Sequence, residues 1–145
     1  MRVLIVEGDG DLQEQWSGAF TSAGHDVYSA RSVEVARRAL MTRTFDVALI
    51  ELCLPDGSGL TMSTLAKYSN PDCCIILVTG SGLFPHGELF DIAPAITTIL
   101  RKPVNARELL AVAEHYHRAE TEMPPYAAVE KKKGDDTREE EGAAA

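Results

Sequence analysis

Short apolar runs and longer stretches with apolar positions every three or four residues alternate along the first 120 residues. Val3–Val6 is a compact apolar run, and Leu12, Trp16, Ala19, Phe20 and Ala23 then recur at helical spacing until Gly24, the residue expected just past a helix end. His25–Ala30 carries the β-favouring pair Val27-Tyr28, and Ser32 caps a second helical pattern through Val33, Val35, Ala36, Ala39 and Leu40. Phe45–Glu51 is a continuous apolar run closed by one acid, with a Pro/Gly-rich turn after it and a helical pattern over Leu60–Tyr68 that Asn70-Pro71-Asp72 breaks. Cys74–Thr79 is a fourth run. A short helix over Pro85–Ile92, interrupted by Gly87, and a fifth strand over Ile96–Leu100 follow. Asn105 with Glu108 three residues on has the form of a capping box, and Leu109, Val112, Ala113 and Tyr116 give the last helix an apolar face.

Strands that are apolar throughout and separated by helices of about ten residues are buried on both faces, which requires a parallel sheet between two helical layers. The expected fold is therefore three-layer α/β, a doubly wound five-stranded parallel sheet over residues 1–120. From Thr121 the apolar positions run out: Pro124-Pro125, Lys131-Lys132-Lys133 and Glu139-Glu140-Glu141 mark residues 121–145 as a charged tail expected to be disordered. No internal repeat is present.

Composition narrows the function classes. A length of 145 residues holds one domain with a full core, and a net charge of −8 opposes direct nucleic-acid binding, which depends on lysine and arginine neutralising phosphates. Cys53, Cys73 and Cys74 have no metal-ligand spacing and are read as reduced thiols of a cytoplasmic protein. No stretch approaches the length of a membrane span or a signal peptide. His25, His86, His115 and His117 form no metal-like grouping and are read as surface histidines, and Trp16 and Phe20 as core residues.

Side chains at the carboxyl ends of parallel strands open onto one crevice. There the chain places Glu7 with Asp9 close by, Glu51, Thr79 and Lys102. Acids, a hydroxyl and an ammonium suit an anion held beside a divalent cation. The motifs Leu4-Ile5-Val6-Glu7, Glu51 to Gly59 with its Leu54-Pro55-Asp56-Gly57 turn, Val78-Thr79-Gly80 and Arg101-Lys102-Pro103-Val104 stand in one order and register. In this the chain resembles the receiver domain of bacterial two-component response regulators, whose fold is flavodoxin-like (CheY-like). The resemblance implies an acidic pair after the first strand, a phospho-accepting aspartate ending the third, a Ser or Thr ending the fourth and a Lys-Pro with a cis peptide bond after the fifth. It assigns Thr79 and Lys102 to phosphate contact, Pro103 to the cis bond, and a Mg²⁺ site to the acids with the backbone of Cys53.

Three positions depart from that pattern. Glu51 stands in the phospho-acceptor place, Gly8 where a metal-binding Asp is expected, and Ile99 where the family has an aromatic switch residue. Losing the Gly8 carboxylate removes a hard oxygen ligand, so Mg²⁺ binding is expected to be weakened or absent; Asp9 is the acid able to compensate, since Gly8 and Gly10 leave the loop permissive. The extra methylene of Glu51 shifts its carboxylate by roughly 1.5 Å, and a misplacement of that size costs phosphoryl transfer on the order of 100-fold. The expected function is an atypical receiver, a pseudo-receiver with no catalytic residues. It would bind a protein partner without phosphorylation, the partner being a histidine kinase or another signalling protein, and would pair with a second copy through the last two helices and the fifth strand. A genuine phospho-receiver modified at Glu51 or Asp56, within a histidine kinase phosphorelay, is the alternative; a flavodoxin-like electron carrier ranks third, because an acidic first loop repels a flavin phosphate.

Overall fold

A computed structural model describes residues 1–80 and 94–121. Five parallel strands, β1 (Arg2–Val6), β2 (Asp26–Ala30), β3 (Val47–Glu51), β4 (Cys74–Thr79) and β5 (Thr98–Arg101), form one sheet in the order β2-β1-β3-β4-β5. Helices α1 (Gly10–Ser22), α2 (Val33–Thr42), α3 (Gly59–Ser69) and α4 (Ala106–Thr121) cover it. The expected three-layer α/β fold is the one found. The helix expected over Pro85–Ile92 and nearly all of the charged tail lie outside the described residues.

Alternation along the strands sorts the core into two halves. Leu4, Val6, Ala48, Ile50, Ile75 and Leu77 face α2 and α3, with Ala36, Leu40, Met62 and Ala66 against them. Val3, Ile5, Val47, Leu49, Ile76 and Val78 face the other way, onto Trp16, Phe20, Leu109 and Ala113 of α1 and α4. Both faces are dry, so β1 from Val3 onward, β3 and β4 tolerate no polar side chain until they end. Trp16 and Phe20 are core residues as expected, at 1% and 0% exposure.

Local chemistry sets the helix ends. Asp9 accepts from the Asp11 and Leu12 N–H groups, Ser32 from Val35 and Asn105 from Glu108. Gly24 follows the end of α1 with φ of 92°, a conformation that costs a glycine nothing.

Boundaries differ from the expected ones at two places. Strand β2 begins at Asp26, because His25 is still tied to the end of α1 through its N–H to the Phe20 carbonyl. Strand β5 begins at Thr98: Ile96 is spent in the core ahead of it, and the Thr97 N–H and hydroxyl exchange hydrogen bonds with Ile75. The Pro/Gly-rich turn after Glu51 closes a small antiparallel hairpin, Cys53–Leu54 against Gly57–Ser58. His25 is no surface histidine either. Its Nε2 lies 2.8 Å from Glu114 of α4, with its side chain 16% exposed.

Candidate functional site

Strands β1 and β3 are adjacent at the centre of the sheet, with Val6 opposite Ile50, and each chain then runs one residue further into an acid. Glu7 and Glu51 thus stand side by side above the core, 2% and 5% exposed. Thr79, fully buried, ends the neighbouring strand β4, and its carbonyl accepts the Lys102 N–H at 2.9 Å, which anchors the residue after β5 against it. The Lys102–Pro103 peptide bond is cis. These residues line one cleft of about 560 Å³ together with Gly8, Asp9, Cys53, Pro55 and Gly80.

Within the cleft, the Lys102 ammonium lies 2.6 Å from Glu51 Oε1 and 2.9 Å from Glu7 Oε1. The other oxygen of each acid is held by its own loop: Glu51 Oε2 accepts from the Cys53 N–H and Glu7 Oε2 from the Asp9 N–H, both at 2.9 Å. Glu7 Oε1 has no well-aligned hydrogen bond, so the ionic approach of Lys102 is what neutralises it. Burial disfavours the Lys102 charge, but its close contacts with the Glu51 and Glu7 carboxylates outweigh it and leave the ammonium pKa above its ordinary value. The Trp16 ring lies 5.8 Å from the same ammonium.

The hairpin positions Glu51 from behind. A side chain on Gly59 would meet the Glu51 carbonyl oxygen and lie 2.7 Å from Ile50 Cγ2, so the first residue of α3 must be glycine for the helix to approach the end of β3. At Gly8 an added Cβ would lie 3.1 Å from Pro55 Cδ, so the missing carboxylate position is also a narrow one.

Sequence reasoning brought Glu7, Glu51, Thr79 and Lys102 together, and the fold does so too. It engages the carboxylates of two others elsewhere. The Asp9 carboxylate is engaged in capping α1, on the exposed rim. Asp56, named as a substitute phospho-acceptor, points away: its two oxygens accept from Val33 and Glu34 at the start of α2, at 2.8 and 3.1 Å, which lowers its pKa. Ile99 sits half-buried in β5, packed against the core on the α2/α3 side. Cys53 is an exposed free thiol at the mouth of the cleft, whereas Cys73 is buried, which pushes its thiol up to about 12. Sequence reasoning missed the His25–Glu114 pair, since 89 residues separate its members and no local pattern joins them.

Mg²⁺ is the ion implied for such a cleft, and the donor set does not fit it as it stands. Three of the four oxygens of Glu7 and Glu51 already have hydrogen-bond partners within the chain, the fourth faces an ammonium, and Gly8 supplies none. A hard cation would have to displace Lys102 to find even two carboxylate oxygens.

Comparisons with known proteins bear on this geometry. The response regulator receiver domain family matches residues 3–114. Response regulator protein PilR of Pseudomonas aeruginosa is 30% identical over 127 residues, covering 86% of this chain and 28% of that protein. Response regulator receiver protein CpdR of Brucella abortus is 27% identical over 109 residues, 75% of this chain and 90% of its own length. The chain spans 28% and 58% of the lengths of PilR and of RegA of Cereibacter sphaeroides, two of the regulators it is similar to. A CheY-like receiver domain structure from Methanospirillum hungatei superposes with a TM-score of 0.75 at 24% identity, over 83% of this chain and 95% of that one. With strand order, cleft and family match in agreement, this chain belongs to the response regulator receiver domain family.

Proposed function

We propose that this receiver domain works as a phosphorylation-independent interaction module in signal transduction, with Mg²⁺ binding weakened or lost. The observation that carries this reading is Lys102 bridging Glu51 and Glu7 at 2.6 and 2.9 Å. Phosphoryl transfer needs an acceptor oxygen free to attack in line and a cation free to gather the phosphoryl oxygens. Here the acceptor position is held by the lysine on one oxygen and by the Cys53 N–H on the other, and Glu51 carries the extra methylene.

The partner would be a histidine kinase or another signalling protein met in the cytoplasm, and the net charge of −8 favours protein over nucleic acid. Beside the cleft, Leu12, Trp16, Pro103 and Val104 line an apolar hollow of about 320 Å³ that suits the side chains of a docking helix. The exposed edge of β5 together with α4 is the surface for a second copy. Phospho-acceptance at Glu51 is the competing reading, favoured by family membership itself. Incubation with acetyl phosphate and Mg²⁺, followed by intact mass measurement, separates the two: an unmodified chain agrees with the module, and a phosphoryl adduct on Glu51 overturns it.

A further inference from the structure

We propose that the Lys102 ammonium is the resident cation of the cleft, standing between Glu7 and Glu51 where a divalent metal would otherwise sit, so that the resting site is partly neutralised from within and insensitive to Mg²⁺. The inference deepens the phosphorylation-independent reading above and rests on it for its biological sense.

Two carboxylates 2% and 5% exposed at neighbouring strand ends repel one another unless a positive charge lies between them. Either a bound metal or a tethered ammonium can supply it. Lys102 is placed for that role by its backbone and by its side chain. Its N–H is fixed to the Thr79 carbonyl at 2.9 Å, and its stem lies along Gly80, where an added Cβ would already be 3.7 Å from Lys102 Cβ. Its Nζ ends within 2.9 Å of one oxygen from each acid and 5.8 Å from the Trp16 ring. Two carboxylates and the face of an indole are partners that a half-desolvated ammonium selects.

A cation delivered by the same chain competes at a high effective concentration, set by its short tether. Magnesium, in contrast, must shed tightly held water and would gain only the two oxygens Lys102 now occupies, since Asp9 is committed to α1 and Gly8 has nothing to offer. The charge of the site is therefore kept constant whatever the Mg²⁺ concentration. Removing the lysine charge should uncover a metal site that the native chain conceals.

Trp16 is the single tryptophan of the sequence and borders the ammonium, so its fluorescence reads the cleft without a label. The 145-residue wild type, Lys102→Met and Lys102→Arg are titrated with Mn²⁺, a paramagnetic quencher, and with Mg²⁺ in competition. Wild type and Lys102→Arg should show no saturable change up to about 10 mM, whereas Lys102→Met should bind at least about tenfold more tightly, in the millimolar range or below. A saturable wild-type response at low millimolar metal overturns the inference, and so does a Lys102→Met protein as blind as wild type. If Lys102→Met is too unstable to titrate, its thermal midpoint decides: a midpoint that rises with Mg²⁺ supports the concealed site, and one that does not move overturns it. Acetyl phosphate separates this inference from the reading beneath it. A wild type that binds Mg²⁺ and stays unmodified defeats the inference alone, and one that is phosphorylated without a Mg²⁺ response defeats the reading alone.

Discussion

Glu51 and Lys102 have unequal tolerance to substitution. Glu51→Gln leaves Lys102 paired with Glu7 and with 23% of its side chain still reaching solvent, so the loss should be about 1–2 kcal/mol. Lys102→Met leaves two buried carboxylates facing one another and should cost more, about 3 kcal/mol or above. Urea denaturation of the two variants checks the order; equal losses would mean that the ammonium is not what holds the acids. Reversing the departures is the complementary test. Glu51→Asp withdraws an oxygen from Lys102 and Gly8→Asp adds a carboxylate beside Pro55, so the double variant should show saturable Mg²⁺ binding by fluorescence. A double variant that ignores Mg²⁺ would show that more than two side chains separate this cleft from a metal site. At this scale much was legible in the sequence: Glu7, Glu51, Thr79 and Lys102 each end or follow an apolar run, and strand order converts that into proximity. The carboxylate directions were not legible. Whether Asp9 turns inward or caps α1 depends on loop geometry, and both are ordinary for an acid at that place.

The elements around β3 carry two further expectations. Gly59 begins α3 so close to the end of β3 that a methyl group would meet the Glu51 carbonyl and Ile50. Gly59→Ala should therefore cost about 1–3 kcal/mol and displace the hairpin, visible as a lower urea midpoint with amide shift changes at Glu51 and Cys53. A variant as stable as wild type would mean that α3 can tilt away freely. Asp56 ties the same hairpin to the start of α2 through two backbone N–H groups. Asp56→Ala should lower the thermal midpoint and speed amide exchange at Val33 and Glu34, with little change at Lys102. The turn was recognisable from Pro55-Asp56-Gly57, but its grip on α2 was not, because that depends on residues more than 20 positions away.

For the whole molecule, pH dependence has an acid and an alkaline limb, each with a named source. The Asp56 pKa is lowered in the fold, so its contribution is present above the ordinary aspartate value of about 3.9 and is lost as pH falls through the lowered one. The Lys102 pKa is raised, so the stability it supplies is complete below about 10.4 and disappears as pH climbs through the raised value. Thermal midpoints between about pH 8 and 11 should fall less steeply in Glu51→Gln than in wild type, because that variant has already lost one of the two carboxylates that sustain the ammonium. Parallel curves would place the alkaline limb elsewhere.

The fold was determined by the sequence to a large extent. Runs that are apolar at every position can be buried only between two helical layers, and the carboxyl ends of such strands must meet at one edge, so the α/β class and the membership of the cleft follow from pattern and chain order. Cap residues and Gly24 placed helix ends within a residue or two, since capping is local chemistry. Only the tertiary structure decided how the charges in the cleft are shared. A pairing between Lys102, Glu51 and Glu7 joins positions 51 and 95 residues apart through distances of 2.6 and 2.9 Å, and its energy depends on burial that no single segment possesses. The same is true of His25 with Glu114. Sequence patterns record where a side chain must be dry, whereas which ion neutralises a buried charge is settled only when the strands that carry them come together.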